Sequence, residues 1–131
     1  MARLEEAIYS ILSSDASVTA LVSTRIYPFF LPQECTLPAI TFYRVSTDRE
    51  YAFMTDPGYA TVRISIDILG ESASSAMSVA EVVRTALHRY KGTVAGVKIY
   101  ECHIETENSI YEPETDVYRL IIDFMVSHYE L

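Results

Sequence analysis

The chain has no tryptophan, only four glycines and two cysteines, and only ten lysines and arginines in 131 residues. Each scarcity excludes something. Gly58, Gly70, Gly92 and Gly96 stand too far apart to form a phosphate-cradling loop. Cys35 and Cys102 are too few for a disulfide framework, and two free thiols in a reducing compartment is the expectation. Ten basic residues against eighteen acidic ones give a net charge of −8. That balance argues against a grip on nucleic acid, which needs clustered Lys and Arg, but it is compatible with DNA passing close by without being held. No apolar run approaches the ~18 residues of a membrane span, and Asp123 interrupts the best candidate. Met1 to Glu6 shows no apolar h-region, so no secretory signal is expected.

Chemical motifs are equally scarce. His88, His103 and His128 fall on different predicted elements. Cys102 and His103 are adjacent, so on a strand they point to opposite faces and cannot share a metal. No Gly-x-Ser-x-Gly elbow exists, and no order of acid, base and nucleophile suggests a triad. Glu105, Glu107, Glu112, Glu114 and Asp116 crowd one stretch, but without the spacing of a calcium loop. They read as a solvated acidic turn. The expectation is a protein that is not an enzyme and carries no metal or cofactor.

What the sequence does have is apolar periodicity. Half the residues are hydrophobic, and residues 1–131 make one domain able to bury roughly 65–70% of its unfolded surface. Leu4, Ala7, Ile8, Ile11 and Leu12 repeat at helical spacing, with Glu5 and Glu6 in the first turn, where the helix dipole favours acids. Ser14 or Asp15 can cap a second short helix through Val18, Leu21 and Val22. Arg25 to Pro28 reads as extended, and Phe29 to Leu37, punctuated by prolines, as irregular. Strands are expected over Leu37–Ser46, Tyr59–Leu69, Val97–Thr106 and Val117–His128. Between the second and third, Ser72 can cap a long helix whose stripe is Ala76, Ala80, Val83 and Leu87, widened by Met77 and Tyr90, with Gly92 at its end. The predicted fold class is α+β. A single, mostly antiparallel sheet of about four strands carries the long helix and the N-terminal helices on one face.

Two features point to partners. The terminal strand is apolar on one face, through Tyr118, Leu120, Ile122, Phe124 and Val126. Its other face is mixed, through Val117, Arg119, Ile121, Asp123 and Met125. Neither core nor solvent explains that second face, whereas a neighbouring subunit does. Residues 47–58 read as a loop or hairpin arm in which Tyr51, Phe53 and Met54 lie among Asp48, Arg49 and Glu50, before the turn Asp56-Pro57-Gly58. Ten tyrosines without a tryptophan suit interfaces as well as strands. Candidate interface residues are therefore Arg49, Tyr51, Phe53, Met54, Arg119, Asp123 and Met125.

Several stretches resemble a known family. Leu4-Glu5-Glu6-Ala7-Ile8-Tyr9-Ser10-Ile11-Leu12, Asp15 and Ala20-Leu21-Val22-Ser23-Thr24-Arg25-Ile26-Tyr27-Pro28 look like its N-terminal half. Leu37-Pro38-Ala39-Ile40-Thr41-Phe42 is similar to its first strand. Gly92-Thr93-Val94-Ala95-Gly96-Val97, Tyr111-Glu112-Pro113-Glu114-Thr115 and Tyr118-Arg119 resemble its closing half. The family is that of the tail completion, or tail-to-head joining, proteins of long-tailed phages and prophages, related in fold to tail terminators. The resemblance runs from about Leu4 to His128 and leaves the 47–58 arm unmatched. It implies a virion structural protein, assembled in the host cytoplasm, that forms a ring, usually sixfold, at the head-proximal end of the tail tube. Such a ring ends tube polymerisation and meets the head-completion, or stopper, proteins; gene transfer agents use similar parts. The partners implied are further copies of the chain, the tube protein and the stopper, with no membrane, and DNA crossing the lumen without specific binding. The alternative from the residues alone is a small intracellular α+β binding module or accessory subunit acting as a dimer.

Overall fold

The structure is a computed structural model and describes residues 3–49 and 59–130. Helix α1 (Leu4–Ser14) buries Leu4, Ala7, Ile8 and Leu12. It stops at Asp15, whose backbone leaves the helical region and whose carboxylate caps α2 (Ala16–Val22). The Asp15 Oδ1 accepts from the backbone N–H groups of Ser17 at 2.9 Å and Val18 at 3.1 Å, two donors that have no partner inside the helix. Helix α3 (Ala73–Leu87) starts on Ser72, whose Oγ accepts from Ser75 N at 3.1 Å. Its buried stripe is Ala76, Val79, Ala80, Val83 and Leu87; Met77, expected to widen the stripe, lies outside it at 59% exposure, and Tyr90 packs on the core from beyond the helix end.

Six strands form one sheet among the described residues, in the order β1-β2-β3-β6-β5-β4. They are β1 (Ile26–Pro28), β2 (Ala39–Arg49), β3 (Tyr59–Gly70), β4 (Gly92–Val94), β5 (Val97–Glu112) and β6 (Val117–Glu130). The β1–β2 pair is parallel and every other pair antiparallel. The expected α+β class and the helix layer on one face are present, but six strands replace the expected four. The two additions, β1 and β4, are three-residue edge pieces. Other expectations shift too. β2 continues through Arg49, with Thr47, Asp48 and Arg49 paired to Val62, Thr61 and Ala60, so these three residues belong to the sheet and not to an arm. β5 continues to Glu112, so Glu105, Glu107 and Glu112 stand on a strand and only Pro113–Asp116 form the turn. Gly92 does not end α3. The helix closes at His88, Arg89 takes a left-handed φ of 63°, and Gly92 opens β4.

The helices cover one sheet face. Ile64, Ile66 and Ile68 on β3 and Ile122, Phe124 and Val126 on β6 point into it and are at most 1% exposed. Phe42, Ile66 and Ile122 lie in register across three strands, and the same cluster takes in Leu4, Ile8, Val83 and Leu87. Each isoleucine contributes about 1.5–3 kcal/mol by leaving water. Gly70 is where β3 turns toward α3; a Cβ there would lie 2.9 Å from Ala76 N, so the close approach of strand and helix requires glycine. Among the described residues, no helix is long and apolar enough to cross a membrane.

Candidate functional site

The face opposite the helices carries an ordered set of charges. Arg119 on β6 reaches sideways to both neighbouring strands. Its Nε lies 3.3 Å from Asp67 Oδ1 on β3 and its Nη1 2.7 Å from Glu112 Oε1 on β5; Nη2 also donates to Asp67 Oδ2. The hydrogen bonds to Asp67, followed by those to Glu112, push the guanidinium pKa above its ordinary value, so the cation is fixed at any working pH. Asp67 is buried at 7% exposure, which a carboxylate tolerates only when paired and hydrogen-bonded. Four residues along β6, a second crossbar repeats the design. Arg63 on β3 donates to Asp123 Oδ2 at 2.9 Å from Nε, and to Thr106 Oγ1 on β5 at 3.2 Å from Nη2. Thr61 and Ser127 hydroxyls, 3.3 Å apart, add a third rung. Ile121 and Met125 fill the same face and stay half-buried.

The β2–β3 and β5–β6 connections lie at opposite ends of the sheet. β2 ends at Arg49 and β3 begins at Tyr59, next to the end of β6, while β5 and β6 turn at Pro113–Asp116 beside Gly70. At that second end the rings of Tyr111 and Tyr118 pack at 4.7 Å between centroids. Tyr111 Oη donates to Asp116 Oδ1 at 2.8 Å, and that bond raises the tyrosine pKa. Ala76, Met77, Tyr111, Tyr118 and Leu120 line a groove of about 270 Å³ between α3 and the hairpin. Beyond Ile99 no described strand pairs with the outer edge of β5. Carboxylates at Glu105, Glu107 and Glu112 guard that open edge, the usual protection against indiscriminate strand pairing. At the opposite edge Phe29 and Phe30 project at 66% and 77% exposure. Phe29 has a φ of 69°, and Phe30 N bonds Pro28 O at 2.9 Å, closing a γ-turn of the strained, left-handed kind.

With this geometry in place, a model of the tail completion protein gp17 family matches residues 6–129. The chain belongs to this family. It is a family of virion structural proteins, not of enzymes. Among curated proteins no sequence matches. Eighteen chains of solved structures match. One, from the virion of a native gene transfer agent particle, superposes with a TM-score of 0.82 at 17% identity, covering 96% of this chain and 94% of that one. At such identity the likeness concerns the fold.

Of the residues named from sequence, Arg119, Asp123 and Met125 do share the uncovered sheet face, with both charges held in the crossbars. Arg49 is an exposed end of β2. Tyr51, Phe53 and Met54 lie outside the described residues. Cys102 and His103 do point to opposite sides: the thiol is in the core, where burial pushes its pKa up to about 12. His103 sits outside, 3.3 Å from Glu101 and 3.6 Å from Glu105. Among the described residues, no three His, Cys, Asp or Glu side chains are placed to hold a metal ion. Phe29, Phe30 and the Met77–Tyr111 groove were missed from sequence. The available signal was a Phe-Phe pair between Pro28 and Pro32, too hydrophobic for a solvated loop.

Proposed function

We propose that this chain is a ring subunit at the head-proximal end of a phage-like tail tube, where it ends tube growth and joins the tail to the head-completion proteins. The family match over residues 6–129 carries the reading. The gene transfer agent virion chain that shares the fold over 96% of this sequence supports it. So does the shape of the subunit. Its β2–β3 and β5–β6 connections lie at opposite ends of one sheet, which suits a subunit that meets the tube at one end and the head at the other. With part of the net charge of −8 turned inward, the ring lumen would repel DNA in transit and not hold it. Six copies, with assembly in the host cytoplasm, complete the proposal.

The proposal extends to the 47–58 segment, whose Tyr51, Phe53 and Met54 would lie against a neighbouring subunit or the tube. Deleting the gene in a producing strain and imaging the lysate tests the reading. Unjoined heads and tails of irregular length are expected. Normal joined particles, or a purified chain that forms only compact dimers, would overturn it.

A further inference from the structure

The two edges of the sheet differ in charge and match in apolar shape. From Glu101 to Asp116 the β5 strand and its turn carry six carboxylates and no lysine or arginine. Glu107 is paired with Arg84 at 2.9 Å and Glu112 with Arg119 at 2.7 Å; Glu114 and Asp116 ring the hairpin tip. From Arg25 to Arg49 the β1–β2 edge carries three arginines against Glu34 and Asp48. The Arg25 guanidinium donates to two backbone carbonyls, of Pro38 and Leu21, so no described carboxylate neutralises it. One edge is therefore strongly acidic; on the other, Arg44 is neutralised by Glu5 at 2.9 Å, which leaves Arg25 as a cation with no described carboxylate beside it.

The apolar features follow the same division. The β1–β2 edge presents Phe29 and Phe30 on a strained turn, with Phe29 stacked on Tyr43 at 6.5 Å between centroids and Phe30 projecting at 77% exposure. The acidic edge presents the groove lined by Met77, Tyr111, Tyr118 and Leu120. Its volume of about 270 Å³ admits a phenyl ring, since an apolar cavity of ~150 Å³ holds benzene. The heights along the sheet differ by a short offset. Phe29 N bonds Phe42 O, and Phe42 lies in register with Ile66, Ile122 and Glu107 across the sheet. The β5 side of the groove, Ser109 to Tyr111, begins two residues farther on, an offset of roughly 7 Å at ~3.3 Å per residue.

We propose that the Phe29–Phe30 turn of one subunit seats in the Met77–Tyr111 groove of a second copy of this chain, with Arg25 facing the acidic hairpin tip. The two surfaces are different, so the contact is heterologous. Every subunit that donates its turn keeps its own groove free, and the contact repeats until the assembly closes on itself. The inference rests on the proposed reading only in requiring many copies side by side.

Two single substitutions test it, each at an exposed side chain: Phe30→Glu on the turn and Met77→Glu on the helix wall of the groove. Native mass spectrometry and light scattering of the purified chain should show wild-type assemblies larger than dimers that dissociate as salt rises. Each variant alone should be monomeric, with a melting temperature within about 2 °C of wild type, since neither site is in the core. Mixed in equal amounts, the variants should form a heterodimer and nothing larger, because Phe30→Glu retains a groove and Met77→Glu retains a turn. Assembly by either variant alone overturns the proposal. So does a mixture that stays monomeric, or a wild-type chain that is monomeric at ~1 mM, far above the range of a useful interface. The reading as a tail component is scored separately, by detecting the chain in purified particles. A chain found there whose variants assemble normally sinks the interface and leaves that reading intact; an assembling chain absent from particles does the reverse.

Discussion

Replacing Arg119 by Met removes the cation from Asp67 while keeping a long side chain against the sheet. The Asp67 side chain is 10% exposed, Arg119 30% and Glu112 40%. Breaking a fully buried ion pair by removing one partner costs about 3–5 kcal/mol, because the remaining charge stays buried. The link to Glu112 is half in solvent and contributes only ~0–1 kcal/mol. Methionine recovers about 1 kcal/mol by covering apolar surface beside Ile121. The expected net loss is about 2–4 kcal/mol, close to the full cost for Asp67 alone. In urea, with a slope of about 1–3 kcal/mol/M, the midpoint should fall by roughly 1–2 M. Measurement at low protein concentration keeps assembly from adding to the apparent stability. The decisive comparison is the double variant Arg119→Met/Asp67→Leu. If the stranded carboxylate is the cause, removing it should restore at least half of the loss. A single-variant loss below about 0.5 kcal/mol, or a double variant no better than the single, would refute the crossbar as a buried electrostatic pair.

Ile66→Ala, at the centre of the core, should cost about 2–5 kcal/mol by the same titration; a loss under about 0.5 kcal/mol would mean that β3 faces the other way. Asp15→Ala removes the cap of α2 and should cost about 0.5–2 kcal/mol, whereas Asp15→Asn, which keeps the acceptor, should cost far less. Cys102 supplies a pH test. Its folded pKa, about 12, lies above the ordinary thiol value. The folded state therefore holds its proton more tightly than the unfolded chain does. That contribution is complete below about pH 8.5 and declines by up to ~1.4 kcal/mol per pH unit toward pH 12. Cys102→Ala should flatten that part of the stability profile. Replacing Tyr51, Phe53 and Met54 together by Ser should leave the melting temperature of the isolated chain nearly unchanged and lower the yield of joined particles; normal yield would remove the segment from the proposed contacts.

The parts of the fold legible in the sequence are those with unbroken periodicity. Val62, Ile64, Ile66 and Ile68 alternate without a fault, and the α3 stripe recurs every three or four residues behind its Ser72 cap. β5 was read short for two physical reasons. Its register shifts at Tyr100 and Glu105 break the period of two. Beyond the second shift, Thr106 to Glu112 is mostly polar, and it remains a strand only because β6 pairs with it along its whole length. β1 and β4 are three residues each, too short for any period to register. Gly92 carried the mark of a helix end, but the helix closes four residues earlier and the glycine serves a strand start. The mixed face of β6 was legible as mixed. Its order was not, because the crossbars join residues on three strands that only the register brings together. Opposite charges at matching period-two positions, Arg63 and Asp67 on one strand and Arg119 and Asp123 on another, were the signal for it.

β3 and β6 are paired over twelve consecutive positions, Tyr59 to Gly70 against Tyr129 to Tyr118, without a bulge, and both crossbars are anchored on this pair. The β2–β3 connection lies at one end of this beam and the Pro113–Asp116 turn at the other, about 40 Å apart along the bonded sheet at ~3.3 Å per residue. Mechanically this is a fixed shank whose ends vary separately: a substitution in the Pro113–Asp116 turn can reshape that end without disturbing the pairing of β2, β3 and β6 at the other.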